Sequence, residues 1–238
     1  MPVIPLSFSL GEYCINIQYM LAYQLTNNFN EILAECQSLL GLPPLERYKP
    51  TRPTKPELVP GMAINAFYRK KDGAMAWSLY WGRRSRQHHY LDQTSLCCSE
   101  FSNPRWLPAL NERRCLIPMD GFFTWPSGMN LRVLQAIQRT KHEPQPVRET
   151  RVLWSNKDRY RMVAGIWGQS WFYQRVKGGR GQWLKNECCL PLVNANGMPL
   201  TVPKNLWAEW LLKTELDFDK FQLAFNEEWF EALEFCPL

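Results

Sequence analysis

The stretch NERRCLIPMDGFFTW, residues 111–125, decides how the chain folds. Two arginines, Arg113 and Arg114, lead into the apolar run Cys115-Leu116-Ile117-Pro118-Met119, which has the length of one buried strand. Asp120-Gly121 interrupts the run, and Phe122-Phe123-Thr124-Trp125 resumes an extended, aromatic pattern. Two strand pieces around Met119-Asp120-Gly121 are therefore predicted, with a basic entrance and a Thr-Trp exit.

Upstream, MAINAFYRKKDGAMAWSLYWG (62–82) reads as a hairpin, because two alternating runs flank Lys71-Asp72-Gly73 and Asp-Gly suits a tight turn. RRSRQHHY (83–90) follows as a basic loop. The proline-rich segment 47–61 excludes a helix and is expected to be extended. Residues 15–41 show apolar residues at helical intervals, which predicts two helices around a polar turn, the second closing at Gly41 before Pro43-Pro44. Downstream, 127–150 is polar and reads as an exposed insertion. RVLWSNKDRYRMVAGIWGQS (151–170) reads as a second hairpin, GGRGQW (178–183) as a flexible loop and ECCLPLV (187–193) as a strand. A helix is expected after Pro203, and another over 218–235, where Phe218, Phe221, Phe225 and Trp229 share roughly one side. Many short antiparallel strands with a few helices make an α+β chain, one domain over 1–238.

No apolar run approaches the ~18 residues of a membrane-spanning helix, and the first residues lack the basic start of a signal peptide. A soluble, cytoplasmic, monomeric protein without a membrane partner is the expectation. The eight cysteines, scattered and without a CxxC spacing, are expected to be reduced thiols rather than a disulfide framework. One cysteine from each of the vicinal pairs Cys97-Cys98 and Cys188-Cys189 could join His88 or His89 in a zinc site, but small buried thiols at strand positions are the preferred reading. No metal or other cofactor is expected.

Net charge is +6, but unevenly spread. From residue 209 onward eight acidic residues face two lysines, −6 in all, so residues 1–208 carry +12. A basic body rich in tryptophan suits a polyanion. The acidic segment 204–238 is then a candidate to fold over that body.

Several stretches together resemble the SOS response-associated peptidase (SRAP) family. Arg113-Arg114-Cys115-Leu116-Ile117-Pro118 followed by Asp120-Gly121-Phe122 is similar to the family's RRCLIP-x-DGF core. Tyr48 with Pro53-Thr54 resembles its YN-x-APT segment, and Met75-Ala76-Trp77-Ser78-Leu79 its MRWGL strand. Ala164-Gly165-Ile166-Trp167 resembles AGLW, and Met198-Pro199-Leu200 with Trp207 and Trp210 the closing MPV…W…W stretch. The matches keep their order from about residue 47 to 211. The resemblance implies mainly antiparallel strands in a barrel-like or two-sheet core with several helices. It also implies binding of single-stranded DNA, with covalent cross-linking to abasic sites, in a DNA-damage (SOS) setting.

The departures fall on the family's chemistry. Its N-terminal cysteine nucleophile is replaced by Pro2, and its glutamate in DGFYEW by Thr124. The histidine before its MP motif has no counterpart in Asn194-Ala195-Asn196-Gly197-Met198, and of its NAR-x-E segment only Glu100 survives. A thiazolidine needs thiol and amine on one terminal residue, which Pro2 cannot supply. A trimmed Pro2 would instead offer a secondary amine able to form a Schiff base with an aldehyde. The catalytic candidates are thus Pro2, Thr124 and Glu100. The DNA-binding candidates are Arg83, Arg84, Arg86, Arg113 and Arg114 for phosphates, with Trp77, Trp81 and Trp125 as base-stacking platforms. The partner expected is single-stranded DNA, intact, abasic or damaged. The competing reading from another class is a non-catalytic protein-interaction module on the same fold.

Overall fold

The structure, a computed structural model, describes residues 23–24, 29–41, 57–58, 60–70, 75–84, 93–119, 121–124, 150–154, 161–175, 181–194, 199–214, 216–217, 220–221 and 233–236. Its strands are β1 (Tyr23–Gln24), β2 (Glu57–Leu58), β3 (Ala63–Arg69), β4 (Met75–Trp81), β5 (Leu96–Cys97), β6 (Arg114–Met119), β7 (Gly121–Thr124), β8 (Thr150–Trp154), β9 (Arg161–Arg175), β10 (Gly181–Val193) and β11 (Leu233–Cys236). The helices are α1 (Phe29–Leu40), α2 (Leu107–Glu112) and α3 (Trp207–Leu212), with short 3-10 turns at Cys98–Glu100 and Lys204–Leu206. The chain is α+β, as its sequence predicts.

Two sheets form, one of six strands in the order β4-β3-β6-β9-β10-β5 and one of five in the order β11-β8-β7-β1-β2. The opening stretch therefore joins them: β6 lies inside the six-stranded sheet and β7 inside the other. Most pairs are antiparallel, but β10 runs parallel to β5 and also to β4, through Cys188↔Tyr80 and Cys189↔Trp81. That second pairing returns the six-stranded sheet to its own first strand.

Alternation explains why β6 reads as one continuous apolar run. Cys115, Ile117 and Met119 join Ile64, Tyr68, Leu79 and Val163 in one buried cluster. Leu116 joins Phe67, Ala164 and Leu190 in a second, which the helices cover with Trp207, Trp210 and Leu211. A strand buried on both faces has no position to spare for a polar residue. In α1, Ile32, Cys36 and Leu40 repeat at four-residue spacing and are buried. The helix closes at Gly41, whose φ of 61° is the left-handed conformation expected just past a helix end.

Gly165 in β9 lies between Cys115 of β6 and Pro191 of β10. A Cβ there would stand 2.7 Å from Cys115 Sγ, 3.1 Å from Ile117 Cδ1 and 3.3 Å from the Leu190 carbonyl oxygen. Only hydrogen fits between the strands. Gly165→Ala is expected to cost about 1–3 kcal/mol by overpacking, seen as a lower urea midpoint with an unchanged slope.

Four local expectations are corrected. Tyr23–Gln24, inside the first expected helix, is strand β1, paired with β2 and β7. Residues 233–235, at the end of the last expected helix, belong instead to β11, which pairs with β8, where antiparallel pairing gives the backbone its partners. The 151–170 stretch is no hairpin: β8 pairs with β7 and β11, whereas β9 pairs with β6 and β10. Gly181-Gln182-Trp183, read as loop, starts β10 opposite Arg175, Gln174 and Tyr173 of β9. The second helix expected within 15–41 is α1, closing at Gly41 as predicted, whereas the rest of the first, most of the 218–235 helix and nearly all of the 127–150 insertion fall outside the described residues. Among the described residues no helix is long and apolar enough to cross a membrane.

Candidate nucleic-acid interface

Strand β4 ends at Trp81, and Gly82 turns the chain with φ 96° while its N–H reaches the Cys189 carbonyl at 2.9 Å. That sign of φ favours glycine. The next two residues are pinned through their backbones. Arg83 exchanges hydrogen bonds with Gln93 at 2.7 and 3.3 Å, which closes the base of the basic loop. The Arg84 N–H donates to Ser170 Oγ at 2.6 Å, and that buried hydroxyl donates back to the Arg84 carbonyl at 2.9 Å. Both guanidinium groups sit over indoles, Arg83 5.6 Å from the Trp106 ring centroid and Arg84 5.7 Å from that of Trp183.

Arg113 arrives from the other side. It ends α2, with its N–H on the Ala109 carbonyl at 2.9 Å, and its own carbonyl accepts the Trp167 N–H at 2.7 Å. Arg83, Arg113, Trp106, Trp167, Gln169 and Cys188 line a cavity of about 230 Å³, whose remaining wall is largely apolar. Two arginines and no acidic residue line this space. The Arg113 Nε and the Trp167 Nε1 are both buried and have no hydrogen-bond partner. Burial and then the neighbouring Cys189 push the Cys188 thiol up to about 12, against the lowering effect of Arg83 and of the Ser170 and Gly168 hydrogen bonds, so it stays protonated near neutrality and is no nucleophile there.

The expected DNA-facing set thus divides. Arg83 and Arg113 come together in the cavity, and Arg84 lies nearby on Trp183. Arg114 does not flank a groove: it is 4% exposed, and its guanidinium donates to the carbonyls of Leu110, Asn111, Trp210 and Lys213. Trp81 does not present a stacking face: it is fully buried, with its indole N–H on the Thr94 carbonyl at 2.7 Å. Glu100, carried over as a catalytic candidate, accepts a hydrogen bond from the Trp106 indole at 3.0 Å and so braces the cavity wall. Trp77 and Thr124 are placed only as backbone positions of β4 and β7. Pro2, Arg86 and Trp125, with His88 and His89, lie outside the described residues.

Trp106, Trp167, Gln169 and Trp183 were not singled out as site residues from the sequence. Trp106 sits in Asn103-Pro104-Arg105-Trp106, which carries no periodic signal, and Arg105 also lies over its ring at 4.9 Å. Trp183 follows Gly178, Gly179 and Gly181 and reads as loop. Trp167 stood in a motif, but as a marker of fold. Among the described residues no group of three His, Cys, Asp or Glu side chains is placed to hold a metal. Among the described residues, Cys36, Cys97, Cys98, Cys115, Cys188 and Cys189 form no disulfide.

No protein-family model matches the chain, and no curated protein matches it. Its fold is similar to solved structures. A phage-related protein from Bordetella bronchiseptica superposes with a TM-score of 0.52 at 15% identity, covering 92% of this chain and 93% of that one. A protein from Bacteroides thetaiotaomicron gives 0.55 at 10% identity, covering 85% of each chain. At these identities the likeness concerns the fold alone.

Proposed function

We propose that the chain is a divergent SRAP-like protein that binds single-stranded DNA, intact, abasic or damaged, with the covalent cross-linking of that family altered or lost. The observation that carries the reading is the gathering of Arg83 and Arg113 in one carboxylate-free cavity beside the Arg84–Trp183 pair. Guanidinium groups beside the half-buried Trp183 indole suit a single strand, which offers phosphates and unpaired bases together. The return pairing of β10 to β4 supports the barrel-like core that the resemblance implies. Altered chemistry fits the replacement of the family's cysteine and glutamate by Pro2 and Thr124, and the engagement of the Glu100 carboxylate by Trp106.

Fluorescence anisotropy with a labelled single strand tests the reading. Log affinity is expected to fall linearly with log salt, with a slope of about −0.7 per neutralised phosphate. Arg83→Gln combined with Arg113→Gln should flatten that slope by roughly 1.4, two phosphate contacts' worth. A flat salt response in the parent protein, or no binding at low salt, sinks the reading and favours the protein-interaction module. The chemistry is tested separately by borohydride trapping on an abasic strand. No adduct is expected; a trapped adduct abolished by Pro2→Gly would establish a Schiff base at the N-terminus.

A further inference from the structure

The cavity beside Arg113 has a donor surplus that binding along a strand does not explain. Of the lining side chains that carry N–H groups, the Trp106 indole is engaged by Glu100, and Arg113 Nε and Trp167 Nε1 are buried out of reach, which leaves the outer guanidinium nitrogens of Arg83 and Arg113 and the Gln169 amide for a bound acceptor. The acceptor must bring several oxygens and negative charge, since two guanidinium groups line the space and no carboxylate does.

Size and lining narrow it further. About 230 Å³ lies below the ~300–1,000 Å³ of pockets for drug-sized ligands, so the space takes one phosphate with an adjoining fragment, not a run of nucleotides. Trp106, Ala109, Ile166 and Leu190 give the rest of the wall an apolar character, fitting the body of a sugar or base rather than further phosphates. An internal phosphodiester carries a sugar on both sides and has two free oxygens. A phosphate monoester has three free oxygens and one attachment, and so enters a recess end-on.

We infer that this cavity binds a phosphate monoester, and that the protein therefore favours DNA strands ending in a phosphate. The strand rests on the DNA-binding reading above; the oxyanion site does not.

The test uses the full chain and oligonucleotides of one sequence bearing a 5′-phosphate, a 3′-phosphate or hydroxyls at both ends. Inorganic phosphate serves as a separate probe, followed by tryptophan fluorescence because Trp106 and Trp167 line the cavity. One phosphorylated strand is expected to bind about 10-fold tighter than the hydroxyl strand, as a charge-assisted contact would give. Millimolar inorganic phosphate is expected to erase the difference. Arg83→Gln removes one cation of the lining, and it should bring the affinity ratio, measured within the variant, close to one. Equal binding of all three strands by the parent overturns the inference and leaves single-strand binding standing. A preference that survives Arg83→Gln removes it from this cavity and overturns the assignment. If no strand binds but inorganic phosphate changes the fluorescence of the parent and not of Arg113→Gln, the oxyanion site stands and the DNA reading falls.

Discussion

Arg114→Met is expected to lower the stability of the fold by about 3–5 kcal/mol, the range for removing one partner of a buried charged network. Arg114 starts β6 with its Nε on the Trp210 carbonyl at 2.5 Å and its Nη1 on that of Leu110 at 2.8 Å. The carbonyls of Asn111 and Lys213 take its remaining hydrogen bonds. All four acceptors lie at the C-terminal ends of α2 and α3, where helix carbonyls lack partners within their own helix and carry partial negative charge. One guanidinium thus closes two helix ends onto the sheet. Burial lowers its pKa to about 10, still well above neutrality, so the charge persists in the core. Methionine copies the length and satisfies none of the carbonyls, and lysine lacks the planar fork that reaches both helices. In a chain of this size about 1 kcal/mol moves the melting temperature by roughly 2–4 °C, which puts the loss at roughly 6–20 °C by thermal unfolding. Arg113→Met, one residue earlier, should leave the melting temperature nearly unchanged and weaken single-strand binding. If Arg114→Met instead melts normally and binds DNA poorly, the arginine belongs to the interface after all.

That pair of arginines shows where sequence reading stops. Composition treats Arg113 and Arg114 alike, and alternation says only that neighbours face different ways. What makes one side interior is α3, whose Trp210 lies 96 residues further along the chain. Strands β6, β3 and β4 were legible because their apolar runs are fixed by burial on both faces or by alternation around Asp72-Gly73. The first half of β10 was not, since Gln182 and Lys185 are exposed and the strand there extends beyond the core on the strength of its ladder with β9. The hairpin expected over 151–170 failed for a related reason. Nearness in sequence favours pairing β8 with β9, yet β8 completes the other sheet with β7 and the distant β11. Basic character located Arg83, Arg84 and Arg113, but the walls that turn them into a cavity come from α2 and β9, where an isolated tryptophan looks the same whether it packs or binds.

Trp81→Ala is the second large loss expected, about 3–5 kcal/mol for a fully buried tryptophan. The ring fills the cluster inside the six-stranded sheet, beside Leu79, Cys189 and Val193, and its indole N–H satisfies the Thr94 carbonyl at 2.7 Å. Its backbone is held as firmly, with its N–H on the Met62 carbonyl at 2.9 Å and its carbonyl accepting the Gly61 N–H at 2.7 Å. Trp81→Phe separates volume from hydrogen bonding: it keeps most of the ring but leaves the Thr94 carbonyl without its donor, at a cost of about 1–3 kcal/mol. Urea unfolding of the two variants should rank them in that order. Since Trp81 has no exposed face, Trp81→Phe is expected to bind single-stranded DNA within about twofold of the parent protein under conditions where both are folded. Trp183→Ala removes a partly open indole under Arg84 and should forfeit about 1–3 kcal/mol of stacking, roughly 5- to 150-fold in affinity by anisotropy. Weakened binding by a fully stable Trp81→Phe, with Trp183→Ala unaffected, would mean that the strand is read on the opposite side of β4 and that the cavity at Arg113 is not the interface.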